Sequence, residues 1–227
     1  MATSAALVAL VAWDLSGADL ALTRLWGSAG GFAWRHAFLT ETVLHNGGRW
    51  LAGLCLAWLV WDAWRARIPG PPRAVRWRGV ALVLAGLLLV PLIKRFSQTS
   101  CPWSLAEFGG VAAYVSHWQI GASDGGPGGC FPSGHAVGAF AFFGSYVTWR
   151  HWRPRLARAM LWATLAIGAL FAWAQLARGA HHLSHSLWSA WLCWALAVAV
   201  APRPRASAGA FHARVALTAP RRLAGRS

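Results

Sequence analysis

The 19 residues from Ala159 to Ala177 carry no charge and are bracketed by Arg158 and Arg178. A helix that crosses a bilayer needs about 20 mostly apolar residues. Inside hydrocarbon every backbone N–H and C=O must be satisfied within the protein, so such a run can cross only as a helix. Gly79 to Ile93, Ser133 to Trp149 and Ser186 to Pro202 read the same way. Two further spans are expected. One runs from about Leu44 to Trp64 and carries Arg49 near its outer end; the other is Met1 to Trp13, running on past Asp14. The N-terminal stretch lacks the basic start and small-residue cleavage site of a secretory signal. The expected fold is an all-α polytopic membrane bundle of about six transmembrane helices.

Composition supports this class. The chain is 57% hydrophobic and only 12% charged, with a mean hydropathy of +0.43. A soluble domain carries roughly 25% charged residues. A disordered chain would be poor in apolar residues, and four cysteines are too few for a disulfide-dense scaffold. Many of the 17 tryptophans, among them Trp61, Trp64, Trp77 and Trp149, sit at span ends, where an interfacial belt explains them.

The net charge of +15 is mostly a topology signal. Arg65, Arg67, Arg73, Arg76 and Arg78 fall between the second and third spans. Arg150, Arg153, Arg155 and Arg158 fall between the fourth and fifth, and six more arginines follow Pro202. All three groups lie on one side, which the positive-inside rule makes the cytoplasm. Both termini are then cytoplasmic (N-in/C-in). Residues 1–202 form one membrane domain, and 203–227 form a basic cytoplasmic tail expected to be disordered and to touch lipid headgroups. Nothing pairs these arginines with aromatics for nucleic acid, so no nucleic-acid partner is expected.

Three polar clusters converge on the opposite side. Lys94 to Trp103 ends the third span, Gly129 to His135 opens the fourth, and Gln175 to His185 joins the fifth to the sixth. Ionisable groups at membrane depth are costly and point to function. Lys94, Arg95 and Arg178 can neutralise an oxyanion. Ser133 and Gly134, at the expected start of a helix, offer backbone N–H groups and a hydroxyl. His135, His181 and His185 supply nucleophile and general acid near neutral pH, while His182 reads as non-catalytic. The three clusters hold no carboxylate. The sum is an anion site with two-histidine chemistry, most simply for phosphate, with no metal and no cofactor. The bland alternatives are a capping role for His135, a zinc cluster at His181, His182 and His185, a snorkelling Lys94, and interfacial roles for His45 and Arg49. His36 and His117 read as loop histidines. Cys55 and Cys193 fall inside spans and read as buried packing residues. Cys101 and Cys130 both lie outside, where they either form a disulfide or leave Cys101 packed alone.

Pro132-Ser133-Gly134-His135, placed between a lysine-bearing and a histidine-rich cluster, resembles the central motif of the type 2 phosphatidic acid phosphatase and haloperoxidase superfamily. The resemblance covers about residues 75–200 and suggests a divergent bacterial membrane subfamily. The family pattern is K-x6-R-P, P-S-G-H and S-R-x5-H-x3-D. Lys94 matches, but Cys101 stands in the arginine slot. With His181 on the family histidine, Ala174 and Gln175 replace Ser-Arg and His185 replaces Asp. An alternative register puts His185 on the histidine and Ser189 on the Asp. The resemblance implies a metal-free lipid phosphate or diphosphate phosphatase in which His181 attacks phosphorus and His135 protonates the leaving group. His185 orients the nucleophile. Lys94, Arg95, Ser133, Gly134 and Arg178 hold phosphate, with Arg49 and Gln175 as further candidates. His185 brings no negative charge, so activation is expected to be weak unless Glu41 or Asp124 reaches in. It also implies a site facing the periplasm from a bacterial inner membrane. A lipid phosphotransferase and an inactive lipid-phosphate binding or transport protein remain as alternatives.

Overall fold

The computed structural model describes residues 2–201, so the expected tail, 203–227, lies outside the described residues. The chain is mostly helical. The helices are α1 (Ala2–Leu15), α2 (Ala18–Thr23), α3 (Gly48–Arg65), α4 (Arg73–Lys94), α5 (Val137–Phe140), α6 (Phe143–Trp149), α7 (Pro154–Ala177) and α8 (Leu183–Ala199). A two-residue antiparallel ribbon pairs Gly27 with Phe32 and Ser28 with Gly31. A π-helix, Phe38–Gly47, runs straight into α3.

Two of the expected spans, α4 and α7, are long and apolar enough to cross a membrane by length and composition. Thr3–Leu15, Val137–Trp149 and Leu183–Ala199 are shorter apolar helices. The expected Ser133 to Trp149 span is helical only from Val137, and its regular bonding tightens at Ala141-Phe142, which keep helical dihedrals. Gly86 of α4 faces Ala141 at this point, and Gly144 faces Leu82 and Val83. Small residues here let the backbones approach closely.

The main core packs Val80, Val83 and Val90 of α4 against Val137, Phe140, Ala141 and Val147, with Cys193 and Ala197 of α8 closing it. Phe32, Leu105, Phe108 and Ala112 form a second, smaller cluster in the loops beyond the helix ends. At the opposite end Arg76, expected as a loop charge, lies in α4 and forms a buried ion pair with Asp62 of α3 at 2.5 Å. Arg76 also donates to the Pro71 and Ile68 carbonyls and lies over the Trp149 ring. Removing one partner of such a pair strands a buried charge. Cys193 is buried as expected, whereas Cys55 is exposed.

Candidate active site

The turn between α7 and α8 is made possible by Gly179, whose φ of +69° suits glycine. Asp19 fixes the start of α8 by accepting from the Ser184 N–H at 3.0 Å. This turn delivers His181, His182 and His185, all buried. His181 Nδ1 lies 3.4 Å from His185 Nδ1. It also lies 3.4 Å from Cys130 Sγ. Cys130 is bridged to Cys101, as one of the two readings held. A bridged sulfur has no proton, so that approach is packing. The two sulfurs and His181 fall within 4.8 Å of one another, but the bridge uses up both thiolates that a metal would need. Burial pushes the His181 imidazole well below its ordinary pKa, and the Lys94 ammonium pushes it the same way.

His135 sits between the rings of His45 and Phe171, each 4.5 Å away by centroid. Its Nε2 donates to the Leu44 carbonyl at 3.1 Å, which leaves Nδ1 as the acceptor. Gly48 is bare for a reason: a Cβ there would collide with Phe171 and come within 3.3 Å of His135. Lys94 reaches across from α4, and a Cβ on Gly134 would lie 3.7 Å from its Nζ.

Ser133 departs from expectation. Its N–H donates to the His185 carbonyl at 3.0 Å, and its hydroxyl accepts from Ala136 N at 3.4 Å. Because the helix starts at Val137, Ser133 and Gly134 do not form its first turn. Ser133 therefore braces the α8 side of the site instead of presenting its N–H to an anion.

Arg178 also departs from expectation. Its Nη2 meets Glu41 Oε1 at 3.3 Å and its Nε donates to the Arg35 carbonyl. The candidate phosphate arginine is thus engaged by the π-helix. One turn back, Gln175 Nε2 lies 2.9 Å from His45 Nδ1. Glu41 and His45 are spaced to meet Arg178 and Gln175 as successive rungs. Arg49 and Arg95 are exposed and make no ion pair among the described residues. Asp124 accepts from Ser100 and Gly126 and braces its own loop. Neither Glu41 nor Asp124 reaches the His181–His185 pair.

Residues 74–207, more than half of the chain, match the family model described as the PAP2 superfamily. The chain belongs to the PAP2 superfamily. Neither a curated protein nor a solved structure matches it. PAP2 superfamily membership supports a phosphatase-type function, acting on a phosphoric ester. Against the PAP2 pattern, Cys101 is bridged, Gln175 holds His45, and His185 stands on the Nδ1 side of His181. His45 reads as interfacial structure from sequence, yet its ring packs against His135, tilted by 43° at 4.5 Å between centroids. His182 and His117 are likewise tied into the buried cluster, through Thr23 and Asp14. No short motif marks these two links, since the partners lie 159 and 103 residues away.

Proposed function

We propose that this chain is a multi-pass membrane phosphatase for lipid phosphates or diphosphates, working from the outer, periplasmic face of a bacterial inner membrane. The observation that carries the reading is the gathering of His181, His185, His135 and Lys94 from three separate elements. His181 Nδ1 is covered by His185 and Cys130, so Nε2 is the nitrogen left to attack phosphorus. In the first step the N–P bond forms and the bond to the leaving oxygen breaks, with His135 supplying that oxygen a proton from Nδ1. His135 must first take that proton up beside the anionic substrate, because its Nε2–H stays on the Leu44 carbonyl. Water then attacks phosphorus, the N–P bond breaks, and His135 takes the water's proton. Lys94 stabilises the charge on the phosphoryl oxygens. Ser189 Oγ donates to the Ser133 and His185 carbonyls, so it does not orient the His185 ring. That favours His181 over His185 as nucleophile.

A groove supports the lipid substrate. A space of about 350 Å³ between α3, α5, α6 and α7 is lined by Leu51, Cys55, Phe142 and Ile167. It begins at Gly48 and Phe171, the two residues that abut His135. Along α3 it extends to Leu59. At 1.5 Å per residue that is about 16 Å. A single leaflet of the ~30 Å hydrocarbon core has nearly that depth. A chain lying there would leave its phosphate beside His135.

The pairing of Arg178 with Glu41 favours a second reading, a lipid-phosphate binding protein without turnover. Phosphate release from a lipid-phosphate panel separates the two, using wild type, His181→Ala and His135→Ala with EDTA present. The phosphatase reading expects release that survives EDTA and is lost in both variants. Lipid binding without release by wild type would establish the binder. Release that persists in His181→Ala but stops in His185→Ala would move the nucleophile to His185.

A further inference from the structure

His185 occupies the place where the superfamily pattern has a carboxylate, and a neutral imidazole there brings no charge. Rings enclose it: His181 at 5.7 Å, His182 at 5.3 Å, Phe131 at 5.3 Å and His117 at 5.8 Å, all by centroid. His182 leads away from the pair. The Thr23 hydroxyl gives its one proton to the Asp19 carbonyl, so it must accept from His182 Nδ1 at 2.8 Å. The Asp19 carboxylate is taken up by Trp13 Nε1 and Ser184 N.

His117 leads elsewhere. It lies flat on Phe131, with centroids 4.0 Å apart and planes 8° apart. Its Nε2 meets Asp14 Oδ2 at 3.2 Å. Trp188 Nε1 and Trp118 Nε1 donate to the same oxygen at 2.8 and 3.1 Å. The Asp14 side chain is only 1% exposed, and its Oδ1 has no partner. Three donors on one oxygen thus hold this buried carboxylate, while its other oxygen is left without a partner.

We propose that Asp14, acting through His117, is a positioning residue that supplies the negative charge this chain lacks at His185. The inference rests on the phosphatase reading above. When His181 Nε2 attacks phosphorus, the imidazole becomes cationic while keeping its Nδ1 proton. His185 Nδ1 accepts that proton's hydrogen bond. The Asp14 carboxylate, one ring further back, offsets the developing charge. The helix α1 thereby belongs to the catalytic apparatus, although the family match begins only at residue 74.

The test is a double-mutant cycle on lipid-phosphate turnover by the full chain in detergent. Asp14→Asn keeps the shape and an acceptor oxygen but removes the charge. It is expected to lower kcat by about tenfold, the effect of roughly one pKa unit of lost charge stabilisation, with KM within about twofold. Trp188→Phe removes one hydrogen bond to the same oxygen and keeps the charge, so it should lower kcat by clearly less than Asp14→Asn does. His185→Asp restores a carboxylate beside His181, and in that background Asp14→Asn should cost nothing further. Should Asp14→Asn fail to fold, His117→Phe keeps the stack on Phe131, cuts the link, and is expected to show the same loss. Equal kcat for Asp14→Asn and Trp188→Phe would overturn the proposal, as would an undiminished Asp14→Asn cost in the His185→Asp background. An active wild type with kcat unmoved by Asp14→Asn removes this proposal alone. A wild type that releases no phosphate removes the phosphatase reading, and this proposal with it.

Discussion

His181 is an imidazole that its surroundings keep neutral, and this has a cost in acid. Its folded pKa lies below the unfolded value near 6.5, so the unfolded chain binds the proton first as pH falls. The stability tied to the neutral ring is complete above about pH 6.5 and is lost progressively below it. Thermal unfolding in detergent should therefore show a midpoint that drops from pH 7 to pH 5. His181→Asn should flatten that slope by up to one proton, about 1.4 kcal/mol per pH unit. A second expectation concerns Arg178, which Glu41 holds at 3.3 Å. Glu41→Gln should free the guanidinium and tighten inhibition by inorganic phosphate severalfold; an unchanged inhibition constant would remove Arg178 from the phosphate site. The histidines were legible because His181 and His185 are four residues apart and share a side of the chain with the Pro132-Ser133-Gly134-His135 motif. The engagement of Arg178 was not, because Glu41 is 137 residues away and reaches it only through a π-helix. No local spacing encodes that contact.

At the scale of elements, the long loop from Ser97 to Phe131 is fastened by the Cys101–Cys130 bridge, which closes 29 residues of sequence. On the chain-entropy account a loop of that length is worth about 3–4 kcal/mol. Cys101→Ala/Cys130→Ala should lower the unfolding free energy by about that amount and also slow turnover, because Cys130 packs against His181. Unfolding curves with and without reductant, alongside turnover, measure both effects. A stability loss without a rate loss would mean that the sulfur contact does nothing for the nucleophile. From sequence both cysteines fall on the same expected side, which leaves the bridge as one of two readings. The tightened bonding between α5 and α6 was not legible there, since Ala141 and Phe142 are ordinary apolar residues.

On the scale of the whole molecule, the runs of apolar residues mark where the helices lie, and the clustering of arginines marks their expected sidedness. What they do not reveal is which charges leave solvent. Arg76, expected from sequence between the second and third spans, is sequestered with Asp62 against Trp149. The two ends of the bundle are consequently finished differently. At the Arg76 end, cation and anion are both built into the chain. At the His181 end Lys94 has no carboxylate within ion-pair distance among the described residues, and Arg49 and Arg95 add to the same sign. Lys94 is therefore the cation that a bound anion can pair. Inorganic phosphate or vanadate should then act as a structural part. The melting temperature should climb with the logarithm of anion concentration above its Kd, by RT ln(1 + [L]/Kd) in free energy. Lys94→Met should abolish the climb while leaving the anion-free melting temperature equal or higher. The protein's stability and its occupancy would then be one measurable quantity.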